Sequence, residues 1–146
     1  MNARERYDSL FQFYAQDTGI PWQLMKAQAI AESNLDPDAV SRVGAVGLTQ
    51  FMPDTWKDLA VRKGWVSATK LYDPRDPEDA IRAQVAYMRW LFKECGTFTL
   101  ALAAYNWGIG RVRRTFLAPG KKYNPKDVPA ETAQYVARIA SLYPTL

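Results

Sequence analysis

Histidine is absent from the 146 residues, and cysteine occurs once, as Cys95. Without histidine there is no Ser-His or Cys-His nucleophile and no imidazole metal site. With one cysteine no intramolecular disulfide can form. Cys95 falls late in an apolar helical run and reads as a small core residue. No run approaches the roughly 18 apolar residues that a membrane-spanning helix needs. The N-terminus, Met1-Asn2-Ala3-Arg4-Glu5-Arg6-Tyr7, has charge but no apolar stretch before a small-residue cleavage site, so no signal peptide is expected. No segment shows the alternation of a strand, and none is repeated or of low complexity. If the chain is an enzyme, carboxylates, hydroxyls, amides and tyrosines must carry the chemistry.

What is present suits a folded domain. Apolar residues make up 48% of the chain, enough for a core, and the length suits one domain spanning 1–146. The formal net charge is +4 and the pI about 9.2. That permits an anionic partner: nucleic acid, a membrane surface or an acidic polymer such as a bacterial wall. The basic residues are scattered, with Arg111-Arg113-Arg114 and Lys121-Lys122 as the only clusters, so a nucleic-acid stripe is not evident.

Helical periodicity recurs throughout. A first helix over 3–17 carries Tyr7, Leu10, Phe11 and Tyr14, with Gly19 as its stop. A second runs from Trp22 to Asn34 and ends at Asp36-Pro37, because a residue before proline avoids the α region. Met25, Ala29 and Glu32 stand at i, i+4 and i+7 of that helix. The spacing puts an acid on an apolar stripe, where burial favours its protonated form. Gly44 and Gly47 mark a loop, and a short helical turn is expected over Leu48–Met52. Pro53 opens a helix that reaches about Arg62 and closes at Lys63-Gly64-Trp65. A loop follows over 65–77, with two Asp-Pro steps. Pro77-Glu78-Asp79 opens a long helix of about seventeen residues, stopped by Gly96. Alanine-rich Phe98–Asn106 reads as a buried helix, broken at Trp107-Gly108-Ile109-Gly110. Another short turn is expected over Arg111–Phe116. A loop covers 117–130, and Glu131–Tyr143 is the last helix. The class is all-α, with about seven helices in one domain.

Four islands gather polar groups at helix ends. They are Glu32-Ser33 with Ser41, then Gly47-Leu48-Thr49-Gln50, then Ala104-Tyr105-Asn106 with Gly108, and Glu131-Thr132-Ala133-Gln134-Tyr135. Each alone has a plain structural reading: Tyr105-Asn106 as a helix C-cap, Gln50 as a solvated side chain, Glu131 as an acid facing a helix dipole. Asp36 suits a local turn.

Together the islands resemble a known family. Glu32-Ser33, Pro37-Asp38-Ala39-Val40-Ser41, Gly44 through Thr55, and Ala104 through Gly108 are similar, in order, to the motifs of the soluble lytic transglycosylases. The likeness extends over nearly the whole chain. It implies a lysozyme-like helical domain, related to goose-type lysozyme, with a substrate groove. It implies peptidoglycan as partner and cleavage of the N-acetylmuramic acid to N-acetylglucosamine β-1,4 bond, leaving a 1,6-anhydro end. It implies one carboxylate, Glu32, acting first as acid and then as base. Ser41 is then expected to bond the substrate N-acetyl group, and Gln50 and Asn106 to hold sugar substituents. Tyr105 would lie by the acid, with Glu131 on the opposite wall and Tyr135 as the late tyrosine. Trp107 is the best placed of the five tryptophans to stack on a sugar. No cofactor or metal is implied. The family commonly has methionine where this chain has Thr49, which would make the site slightly more polar.

Three alternatives stay open from sequence: a hydrolytic muramidase on the same fold, a non-catalytic wall-binding module of a virion or secretion apparatus, and a basic nucleic-acid binder. The chain is read as a monomer, or as part of a larger virion or envelope assembly. It would act on the wall from the periplasmic or outer side, with a phage or virion origin ranked first.

Overall fold

The computed structural model describes residues 2–61, 63–64, 73–119 and 121–145. The expected helix end at Arg62, Trp65 and the loop expected over 65–72 lie outside the described residues. The chain folds as two compact units, Met1–Tyr87 and Met88–Thr145. Both are helical, and among the described residues the only extended pairings are isolated bridges, Val40 with Val46 and Val46 with Phe51. No described helix is long and apolar enough to cross a membrane.

In the first unit the expected helix over 3–17 is two elements. A 3-10 turn, Ala3–Glu5, is capped by the Asn2 side chain, and α1 is Asp8–Ala15. Asn2 satisfies the first N–H groups of that turn, and the winding breaks before α1 at Tyr7, whose φ of −112° and ψ of 9° are not helical. Gly19, at φ +78°, follows in the turn. α2, Trp22–Ser33, packs on α1. Its inner face buries Met25, Ala29 and Ile30. Between α1 and α2 the buried Lys26 ammonium meets the Asp8 carboxylate at 2.9 Å. Asp8 is only half-buried, so the loss that matters is that of the carboxylate, which would leave the Lys26 ammonium buried without its partner.

α2 stops earlier than its proline suggests. Asn34 and Leu35 are both left-handed, at φ 55° and 61°, so the helix ends at Ser33. Left-handed backbone costs roughly 1–2 kcal/mol per non-glycine residue. Burial of the Leu35 side chain offsets part of it. Asp36 takes the expected turn role, its Oδ1 accepting from the Asp38 N–H at 2.9 Å.

Residues 47–50 form a hydrogen-bonded turn and not the expected helical one. The Gln50 N–H donates to Gly47 O, Gln50 itself is left-handed at φ 54°, and Phe51 then pairs with Val46. Gly47 is required here: a Cβ on it would lie 1.9 Å from the Pro74 carbonyl oxygen, and its φ is +89°. α3 is short, Pro53–Thr55, and passes into a π-helical stretch, Trp56–Val61. Sequence period does not separate the two.

α4 is Pro77–Cys95, 19 residues long. Its cap is Asp76, whose Oδ1 accepts from the Asp79 N–H at 2.9 Å. Residues 77–87 belong to the first unit. There Gln84, fully buried, reaches α2: its Nε2 donates to Met25 O at 3.0 Å and to Gln28 Oε1 at 2.9 Å. Gln84 Oε1 is buried with no hydrogen-bond partner. An orphaned acceptor of that kind costs about 1–3 kcal/mol.

In the second unit Gly96 ends α4 at φ +85°, and Thr97 caps α5, Phe98–Trp107, by accepting from the Leu100 N–H. Gly108, at φ +100°, breaks the chain. α6 then runs Ile109–Phe116, longer than the turn expected over 111–116, with Val112 and Phe116 buried. The loop expected over 117–130 contains a 3-10 turn, Pro125–Asp127, capped by Asn124. α7 is Ala130–Leu142, followed by a 3-10 turn, Tyr143–Thr145. α5 packs on both α6 and α7.

Gly47→Ala is expected to destabilise the protein by more than about 2 kcal/mol, the left-handed penalty plus an unavoidable backbone collision. Chemical denaturation checks this, and an unchanged midpoint would contradict the close approach to Pro74.

Candidate active site

Glu32 lies in the last turn of α2 and is half-buried, while Met25 and Ala29 on the same row are fully covered. The stripe therefore leads from core to surface and ends on the acid. Its neighbour Ser33 fixes that end. Ser33 Oγ donates to Leu48 O at 2.7 Å and accepts from the Asp36 N–H at 3.2 Å. One hydroxyl thus joins the helix end to the 47–50 turn and the turn that follows α2. Sequence reading placed Ser33 in the motif but gave it no role.

Ser41 and Gln50 belong to the same unit. Ser41 closes its own loop: its Oγ accepts from the Ala45 N–H at 2.9 Å, and its N–H donates to Ala45 O at 2.8 Å. The Gln50 Nε2 donates to Ala39 O at 3.1 Å and Gly47 O at 2.9 Å. Gln50 is therefore a clamp on the loop rather than a solvated side chain. Thr49 is buried and its hydroxyl donates to Ala80 O on α4 at 3.2 Å. That corrects the expectation of a more polar site, since this hydroxyl pins the turn to α4.

The second unit holds the other candidates. Tyr105, Asn106 and Trp107 form the last turn of α5, all half-buried. Asn106 Oδ1 accepts from the Thr132 hydroxyl of α7 at 2.8 Å. This contact fixes which end of the Asn106 amide faces α7. The Trp107 carbonyl accepts from Arg111 Nη1 at 3.2 Å. On α7, Glu131 is exposed in the first turn and Tyr135 is buried. Of the other tryptophans, Trp56 is buried against Phe51, and Trp90 is half-buried with the Arg113 guanidinium 5.9 Å from its ring centre. Among the described residues no group of three acids or thiols is placed to hold a metal ion.

Tyr14 is pushed up to about 12, by burial first, then by its 2.9 Å hydrogen bond to Glu78 and that carboxylate's charge. Burial also raises Cys95 and Tyr123.

Residues 9–127 match the family described as the transglycosylase SLT domain. A membrane-bound lytic murein transglycosylase F of Maricaulis maris is 36% identical over 118 residues, 76% of this chain and 24% of that one. The peptidoglycan transglycosylase gp16 of Escherichia phage T7 is 32% identical over 139 residues, 94% of this chain and 10% of that one. An inactive glutamate-to-glutamine mutant of the lytic transglycosylase Slt from Pseudomonas aeruginosa superposes with a TM-score of 0.81 at 29% identity, covering 95% of this chain and 23% of that one. The chain spans less than a quarter of the length of these proteins. The helices define an all-α, lysozyme-like fold. The chain belongs to the transglycosylase SLT domain family.

Two outcomes check the geometry. Thr132→Val is expected to cost about 1 kcal/mol, the value of one buried hydrogen bond, and to let the Asn106 side chain average between rotamers in NMR spectra; a fixed Asn106 would contradict its anchoring. Tyr14 ionises higher in the folded than in the unfolded chain. Its contribution to stability is whole below the ordinary pKa of 10.0 and is lost as pH rises towards about 12. Spectrophotometric titration is expected to show a late tyrosine that Glu78→Gln moves to lower pH, which assigns it to Tyr14 rather than Tyr123.

Proposed function

We propose that residues 1–146 make up one peptidoglycan lytic transglycosylase catalytic domain, with Glu32 as its only acid-base group. The observation that carries this reading is the placement of Glu32. The acid ends a buried helical row, and Ser33 ties that helix end to the glycine-bearing turn of the same motif. The inactive glutamate-to-glutamine mutant of the similar Slt protein supports an essential acid in the family fold.

The chemistry balances with one carboxyl. Glu32 in its protonated form gives its proton to the glycosidic oxygen, and the bond from that oxygen to C1 breaks. The N-acetylglucosamine side leaves as an alcohol. The acetamido oxygen of the N-acetylmuramic residue bonds to C1 and takes up the developing positive charge. Glu32, now a carboxylate, removes the proton from the O6 hydroxyl. O6 attacks C1, the acetamido oxygen departs, and the 1,6-anhydro ring closes with Glu32 protonated again. This places the domain among the substrate-assisted exceptions to two-carboxylate glycosidases.

In this reading the Ser41 hydroxyl proton is donated to the acetamido group, since its oxygen already accepts from Ala45. Gln50 Oε1 and the Asn106 amide take sugar substituents, and Trp107 offers a face to a ring. Tyr105, Glu131 and Tyr135 are assigned to substrate binding on the family resemblance. The domain acts on the wall from its periplasmic or outer side. The near full-length likeness to a segment of the phage T7 protein favours a phage setting.

Glu32→Gln is expected to lower the rate of peptidoglycan clearance about a thousandfold with folding unchanged; clearance at the parent rate would remove the acid assignment. Mass analysis of the parent's digest is expected to show 1,6-anhydro ends. Reducing ends would make the domain a hydrolytic muramidase, and no cleavage at all would favour a wall-binding module.

A further inference from the structure

Two fully buried glutamines, Gln28 on α2 and Gln84 on α4, face each other in the first unit. They are an expensive choice for a core, because Gln84 Oε1 has no partner. An apolar pair of similar size would avoid that cost. The pair does, however, fix an orientation. Gln84 Nε2 donates both to Met25 O and to Gln28 Oε1. Gln28 must therefore present its oxygen to α4, and its amide nitrogen points the other way. One turn further along α2, on the same side of the helix, stands Glu32.

We propose that Gln84 is a positioning residue for the acid: by locking the Gln28 amide, it makes Gln28 Nε2 a fixed donor to one Glu32 carboxyl oxygen. The other oxygen then carries the transferable proton towards the substrate. Gln84 itself never meets substrate, and the inference rests on Glu32 being the acid. A donor held on one oxygen restricts the carboxyl to a single rotamer. Catalysis gains from that, since small misplacements of a reacting group cost large factors in rate.

The test uses the whole chain and three variants. Gln84→Met removes the donor. Gln84→Glu keeps the shape but makes the residue an acceptor, which turns the Gln28 amide over and takes its N–H groups from Glu32. Gln28→Met with Gln84→Met removes the polar pair altogether. All three are expected to lower kcat about tenfold with KM unchanged. The double variant should be at least as stable as Gln84→Met alone, and Glu32 side-chain NMR couplings should show rotamer averaging. Parent kcat in any folded variant would overturn the inference, and so would unfolding of the double variant, which would make the pair scaffolding. Glu32→Gln separates the two claims. If it stays active the acid assignment fails; if it is inactive while the glutamine variants keep the parent kcat, only the positioning inference fails.

Discussion

The hydrogen bond from Ser33 to the Leu48 carbonyl is the constraint on which the first unit depends. It is short, at 2.7 Å, and joins a helix end to a turn fifteen residues away. It holds the Glu32 end of α2 where the left-handed residues Asn34 and Leu35 follow, a conformation with an intrinsic cost. The turn that receives the bond is itself held three ways. Gln50 clamps two carbonyls, Thr49 reaches Ala80, and Gly47 lies against Pro74 with no room for a side chain. A half-exposed acid is therefore mounted on backbone that has few alternatives. That is what a general acid needs, because the gain comes from holding the carboxyl where the proton is to go.

The same economy shapes the second unit. Asn106 and Trp107 close α5, and each is tied to a different helix: Asn106 to Thr132 of α7, the Trp107 carbonyl to Arg111 of α6. Gly108 makes the break between α5 and α6 at a φ that other residues rarely adopt. Polar groups placed at helix ends in this way are oriented by neighbouring helices of the same unit.

Much of this was legible in the residues. Period and punctuation located α2, α4, α5 and α7 to within a few residues, since glycine after a helix and proline at its start act through local backbone geometry. The order of the motifs along the chain carries the family resemblance by itself. What stayed hidden was non-local or geometrically subtle. Nothing in Trp56–Val61 distinguishes π from α winding, because both place apolar residues at nearly the same intervals. The helical turn expected over Leu48–Met52 failed because Gln50 is left-handed and Phe51 pairs with Val46. The first helix is split at Tyr7, whose non-helical φ and ψ the apolar row does not reveal. Gln28 and Gln84 are separated by 56 residues, so their contact could not be read from spacing. Thr49, expected to tune a site, is engaged with Ala80 instead.

The central claim is that one carboxyl performs both proton transfers and that water never bonds to the cleaved carbon. Digestion of peptidoglycan in water enriched in heavy oxygen tests it most directly. The account predicts saccharide products with no label at C1, because the oxygen that closes the ring is the sugar's own O6. Label at C1 in the first-formed products would show water as the acceptor and contradict the single-carboxyl cycle through O6.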